Sequence, residues 1–280
     1  MSITAALAPE PTRAVVHRSR GRSHGYIARL MSPGDLGEVL KPFVFLDLFD
    51  NRGEVFPTFG LHPHSGLATL TYVAEGSVSY EDTNGATGGL HAGGAEWMRA
   101  GKGVWHAGGA GDPGLTRGFQ LWIALPPHLE LGPSESVYQS AVDIPKAGPA
   151  RVLLGEYAGA RSAIAPPSPI NYLAVALKAG ERWCYQPPEG HSVLWLAMGK
   201  GRLRAPDVLE HGEIVVFEPG EATVDFVALE GAEFVIGSAA PHPHDLVLGN
   251  YSVHTSAEAL EAGEAQIQAI HHSLVQKRRL

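Results

Sequence analysis

One cysteine, Cys184, stands in 280 residues, which excludes an internal disulfide framework and any thiolate cluster, so a metal site would have to use nitrogen and oxygen ligands. Charge is sparse too: 18% of the chain is Asp, Glu, Lys or Arg, and the net charge of −8 argues against direct binding of nucleic acid. No apolar run approaches the roughly 20 residues of a membrane helix, so no membrane partner is expected. The opening MSITAALAPEPTRAVVHRSRGR lacks the charged, apolar, small-residue order of a signal peptide, and a cytoplasmic location is expected. P-loop, dinucleotide fingerprint and nucleophile elbow are all missing. Aromatics are only 8% of the chain. What the chain does have is 34 Gly and 21 Pro, the composition of many short elements joined by turns, and 14 His, more than solubility requires.

Residues 1–12, small and Pro-containing, read as disordered, and Arg13, Arg18, Arg20, Arg22 and Arg29 read as an exposed basic face near the start. From residue 43 the text is strand-like: FVFLDLFD, LATLTYVAEGSVSYED, AEWMRAGKGVWHAGG and GFQLWIAL are β-rich and bounded by Gly, Asn-Gly or Pro. LPPHLELGPSESVYQSAVDIPKAGPA, with five Pro, reads as a linker. A second strand series follows in RVLLGEY, NYLAVALKAG, SVLWLAMGKGRLRA, EIVVFEPGEATVDFVAL and AEFVIGSAA. GGAEWMRAGKGVWHAGG and HGEIVVFEPGEATVDFVAL share the order Gly, strand, Gly turn, strand at an offset of roughly 118 to 119 residues, which points to a duplicated β architecture and places Asp225 near the counterpart of His106. After residue 255 the period changes, and SAEALEAGEAQIQAIHHSLVQKRRL predicts an amphipathic helix with a Ser cap, packed on a barrel.

The sharpest local feature is FGLHPHSGLATLTY. On an extended strand His62 and His64 point to one face with Cβ atoms about 6 to 7 Å apart, close enough to share one cation. Pro63 removes a ladder donor and so belongs at a strand edge or barrel mouth. A lone His-x-His is often a polar pair beside a turn. Some forty residues on, after the turn AGKG, His106 on a later strand of the same small barrel could close a facial set of three nitrogens.

With HPHSGLATLTYVAEG, EWMRAGKGVWHA, FQLWIALP, LLGEY, DLFDNR and LGNYSVHT in this order, the chain resembles the pirin family of bicupins from about residue 13 to the helical end. The resemblance implies an all-β fold of two stacked cupin jelly-roll barrels with a C-terminal helix: an N-terminal cupin over 13–135 carrying the metal-site candidate, a C-terminal cupin over 150–254 without metal ligands, and a helix over 255–280. It implies one metal, with Fe(2+) the expected ion and another divalent metal, or none, the alternatives. In bacterial members it implies quercetinase-like flavonol 2,3-dioxygenase activity on a small planar aromatic or enol substrate. In animal members it implies a redox-responsive regulator that works through a protein partner.

Carried over position by position, the family's ligands are His62, His64 and His106, followed by a Glu that is missing here: Gly108 stands in its place, and Ala68 and Thr69 occupy the alternative position used by single cupins. Three readings remain open: a working three-histidine metal site, a pocket of hydrogen-bonded histidines in a non-catalytic binding module, and a site completed by Asp112 from the following loop. Glu96 is not expected as a ligand. The second HPH, His242 and His244, reads as a loop; His271 and His272 read as helix-end residues. Trp97, Trp105 and Trp122 read as core, with one of them a candidate stacking wall for a planar ligand. Glu75 reads as a turn residue and Asn84-Gly85 as a hairpin signal. Cys184 reads as a small buried hydrophobe.

Overall fold

The computed structural model describes residues 13–53 and 59–279; residues 1–12, expected to be disordered from their composition, lie outside the described residues. The first half runs β1 Val15–Ser19, β2 Arg22–His24, β3 Ile27–Met31, α1 Leu36–Leu40, β4 Phe43–Arg52, β5 Phe59–His64, β6 Leu67–Glu75, β7 Ser77–Asp82, β8 Thr87–His91, β9 Ala95–Arg99, β10 Val104–Ala110, β11 Leu115–Ala124, α2 Pro127–Glu130 and β12 Glu135–Gln139. The second half runs β13 Lys146–Ala147, β14 Ala150–Leu154, β15 Glu156–Tyr157, β16 Ala160–Arg161, β17 Ile170–Leu177, β18 Arg182–Tyr185, β19 Val193–Lys200, β20 Arg202–Ala205, β21 Asp207–Glu210, β22 Ile214–Phe217, β23 Val224–Ala228, β24 Ala232–Ala239, β25 Val247–Leu248, β26 Val253–His254 and α3 Ala257–Gln276.

The duplication is visible strand by strand. One sheet is ordered β12-β9-β6-β11-β4-β3-β2 and faces the smaller sheet β5-β10-β7-β8; the other is ordered β1-β22-β19-β24-β17-β14-β13 and faces β18-β23-β20-β21. Each seven-stranded sheet with its four-stranded partner makes one jelly-roll barrel, and the two barrels stack through their large sheets. Side chains alternate accordingly. On β9 Ala95 and Trp97 enter the core between the barrels, and on β22 Ile214 and Val216 do the same. Val215 and Phe217 point the other way, into the interior of the second barrel. Central strands buried on both faces explain why LATLTY and VLWLAM are apolar almost without interruption.

The halves are not divided where the sequence places the boundaries. β1 is an edge strand of the second barrel, paired with β22 through Arg18↔Val215 and Ser19↔Ile214. Arg13, 2% exposed, donates to the carbonyls of Glu218 and Ser192, at 2.8 Å from Nε and 2.7 Å from Nη2. Arg18 and Arg20 pair with Glu213 and Glu210. The expected basic face is thus largely consumed by partners some 200 residues away in sequence. The expected linker is structured too, since β12 within it closes the edge of the first sheet against β9.

The predicted helix is present as α3, with the Ser256 hydroxyl accepting from the Ala259 amide at 3.1 Å. It lies on the first barrel, where the Trp105 indole donates to the Ile267 carbonyl at 2.9 Å. Asn84-Gly85 turns the β7–β8 hairpin with Gly85 at φ 98. Cys184 is exposed, not buried: on β18 Trp183 and Tyr185 point inward and Cys184 points out. Among the described residues no helix is long and apolar enough to cross a membrane.

Candidate metal centre

Pro63 sits on β5, the edge strand of its sheet, where its missing donor costs nothing. β5 pairs with β10 so that His106 lies directly opposite His62, with Val104 opposite His64. Strand alternation puts His62 and His64 on one face, and the pairing sets His106 beside them. Ring centroids are 5.2 Å apart for His62 and His64, 4.4 Å for His62 and His106, and 5.0 Å for His64 and His106. One ligand nitrogen from each lies within 4.8 Å of the others, and this is the one such cluster of three among the described residues.

The nitrogens are sorted by their partners. His62 Nδ1 is 2.9 Å from the Gly60 carbonyl, and His64 Nδ1 is 3.0 Å from the Tyr251 carbonyl. A carbonyl only accepts, so each Nδ1 carries the proton and each Nε2 keeps its lone pair. His106 turns Nδ1 toward Glu96 Oε1 at 3.9 Å and leaves Nε2 buried with no hydrogen-bond partner. Burial, with His106 alongside, lowers the His62 imidazole to about 4 and holds His64 well below its ordinary value. Two neutral rings with free Nε2 lone pairs, beside a third imidazole whose Nε2 is buried without a hydrogen-bond partner, are a donor set that a borderline divalent cation takes up. The residues present therefore fit a metal ion.

Tyr251 shows how the second half of the chain completes the site. After β25 the chain returns to the first barrel, where Ser65 and Ser252 form a parallel bridge and Tyr251 takes φ 64, a conformation tyrosine rarely adopts. Below it, His254 is tied to Glu130 at 3.1 Å and to Ser65 at 3.0 Å, all three buried. LGNYSVHT is visible in the sequence as a motif, but a backbone carbonyl that orients a ligand leaves no residue-type signal.

The histidines border a cavity of about 1330 Å³ whose wall includes Trp122, Tyr251, Thr71, Glu96, Gln120 and Gly108. Trp122 stacks on Phe45 at 4.0 Å and meets the edge of His64 at 4.8 Å. Of the three tryptophans singled out, it is the one that lines the cavity. Trp97 is 1% exposed in the core and Trp105 lies under α3. Gly108 lines the cavity without a carboxylate, and a Cβ there would meet only the Ser79 carbonyl, at 3.7 Å. Asp112 does not complete the site: its side chain is 80% exposed and engages Ser77 and His91. His242 and His244 lie in the connection after β24, with His242 buried and His244 partly so.

Among the described residues the second barrel has no counterpart cluster, for a reason one residue away from the expected one. Asp225 faces out; the inward positions of β18 and β23 are Trp183, Tyr185, Val224, Phe226 and Ala228, with Trp183 paired to Phe226 as His62 is to His106. Trp183 and Phe226 stack at 5.3 Å and fill the space that the imidazoles border in the first barrel.

The family model for pirin matches residues 26–123. Pirin-like protein 2 of Arabidopsis thaliana is 30% identical over 275 residues, 91% of this chain and 79% of that protein. A Pseudomonas aeruginosa protein provisionally named quercetin 2,3-dioxygenase is 33% identical over 194 residues, 64% of this chain and 68% of its own length. The crystal structure of a quercetin 2,3-dioxygenase from Acinetobacter baumannii superposes with a TM-score of 0.83 at 25% identity, covering 92% of this chain and 98% of that one. By fold, motif order and extent of similarity, the chain belongs to the pirin family.

Proposed function

We propose that His62, His64 and His106 hold one divalent non-haem metal ion, iron, and that the cavity beside them takes a flavonol or a related planar enol for oxidative cleavage by dioxygen. The observation that supports this best is the state of the imidazole nitrogens: backbone carbonyls take the Nδ1 protons of His62 and His64, and His106 of the same cluster has a buried Nε2 without a partner. A bound ion would supply Lewis acidity and, for iron, redox chemistry toward dioxygen. The chain's own part is to orient and exclude. The Gly60 and Tyr251 carbonyls fix two rings against rotation. Trp122, held flat against Phe45, offers an apolar face to a planar ring, and Tyr251 lies 5.8 Å from His62. Similarity to proteins named quercetin 2,3-dioxygenase supports the substrate class. A cytoplasmic setting fits a chain whose one cysteine forms no disulfide.

Metal content of anaerobically prepared protein is the first test. The reading expects near one iron, or other divalent ion, per chain, and less than about 0.1 of iron, manganese, nickel and zinc together would reject it. That result would leave the non-catalytic, protein-binding reading, which the absent carboxylate at Gly108 favours. With metal present, oxygen uptake with flavonols should follow and should be lost in His62→Ala; full activity in that variant would remove the site.

A further inference from the structure

A row of polar side chains crosses the large sheet of the first barrel in register. Tyr138 pairs with Glu96, Glu96 with Thr71, Thr71 with Gln120, Gln120 with Asp47 and Asp47 with Arg29. Strand for strand, from Glu96 to Arg29, the same row in the second barrel reads Val215, Leu196, Ile236, Leu173 and Val152. The fold therefore does not require polarity there. The barrel whose small sheet carries three histidines has the polar row, and the barrel that replaces them with Trp183, Tyr185 and Phe226 has an apolar one.

Glu96 is the member of the row that has no structural explanation. It is 6% exposed, and burying a carboxylate without a cation is costly. Thr71 and Tyr138 approach it through hydroxyls, at 3.0 and 3.5 Å, and no Lys or Arg pairs with it among the described residues. Its ion-pair contact is His106 Nδ1, at 3.9 Å. His106 belongs to the three-histidine cluster and its Nε2 is buried without a partner, so the ring can offer Nε2 to an ion while Nδ1 faces the carboxylate.

We propose that Glu96 is a positioning residue whose carboxylate accepts the Nδ1–H of His106 and supplies, through that ring, the negative charge that Gly108 no longer supplies directly. This rests on the reading of the three histidines as a metal site. A cation on Nε2 makes the Nδ1 proton more acidic and draws it toward the carboxylate, which in turn raises the basicity of the ligating nitrogen. The charge thus acts from β9 through the His106 ring and not from position 108.

The test is a metal-affinity cycle by competition with a chromophoric chelator, using zinc and the full chain. Glu96→Gln, which keeps shape and hydrogen-bonding capacity, should weaken zinc binding about 10- to 100-fold. In the Gly108→Glu background the same change should cost less than about threefold, because the charge is then supplied at 108; a purely structural role would give equal losses in both backgrounds. In 15N-histidine-labelled zinc protein the His106 Nδ1–H resonance should move upfield in Glu96→Gln. Affinity within twofold of the parent, or equal losses in the two backgrounds, overturns the proposal and leaves the metal site intact. Should the parent chain bind no zinc, iron or nickel, the metal site and this proposal fall together. Should Glu96→Gln not fold, Glu96→Met in the same cycle reads the same coupling.

Discussion

Replacing Glu96 with methionine should make the metal-free protein more stable. The carboxylate is 6% exposed and has no Lys or Arg partner among the described residues to repay its desolvation. Its removal orphans neither donor: the Thr71 hydroxyl has Gln120 Oε1 at 2.6 Å, and the Tyr138 hydroxyl has Asp82 Oδ2 at 2.9 Å. Methionine nearly matches the glutamate in volume and can bend into the slot, so no sizeable cavity opens. Exchanging a buried, poorly compensated charge for a packed apolar side chain is worth about 1–3 kcal/mol. For a chain of this size that raises the melting temperature by roughly 3–10 °C. Chelator-treated wild type and Glu96→Met, compared by urea midpoint at constant m and by thermal melting, give the answer. A melting temperature for Glu96→Met below that of wild type would refute the reasoning, because the carboxylate would then be supporting the fold. The variant should gain stability while losing metal affinity, the signature of a residue kept for its site.

Three further perturbations probe other parts of the molecule. Burial lowers His242 to about 4, with the repulsion of His244 and Lys41 adding to the shift; its stabilising neutral form is complete above the unfolded value near 6.5 and is lost as pH falls toward 4. That loss is worth about 3 kcal/mol, so His242→Gln should flatten the decline in urea midpoint between pH 7 and 4.5, and an unchanged decline would contradict the assignment. Gly108→Glu, entering a position where a Cβ meets only the Ser79 carbonyl at 3.7 Å, should tighten metal binding by about tenfold or more in chelator competition; unaltered affinity would place the new carboxylate off the site. Trp105→Phe removes the bond to the Ile267 carbonyl and about 1 kcal/mol with it, so amide exchange should rise in α3 more than in β24, and equal exchange would show that the helix is held elsewhere.

Much of the fold can be read in the sequence because strand and helix periods differ and Gly and Pro punctuate them. FGLHPH suggests the pair His62 and His64 through strand alternation, and the motif order shared with pirin adds His106 to them. The error at Asp225 comes from register. Counting a constant offset from His106 lands on Asp225, but the turn before β23 is not the length of the turn before β10, and a slip of one residue reverses the face of a strand. Val224, Asp225 and Phe226 carry that correction in their own alternation. Tertiary pairings are harder: nothing near Arg13 or Arg18 indicates that their partners lie beyond residue 190. Glu96 is legible as a residue type and illegible as a role, since only the fold shows it beside His106 Nδ1 with Val215 as its apolar counterpart.

The crossed edge strand has a consequence for synthesis on the ribosome. β1 leaves the tunnel about 200 residues ahead of its partner β22. At 5 to 20 residues per second that is a wait of about 10 to 40 s. During this interval β1 has no sheet to join, and the second barrel, once made, has an open edge until β1 arrives. Arg18, Arg20 and Arg22 place charge on and beside the waiting strand, which discourages pairing with another nascent chain. A rearranged chain that carries residues 13–19 behind β24 would shorten the wait to seconds and should reduce aggregation during expression.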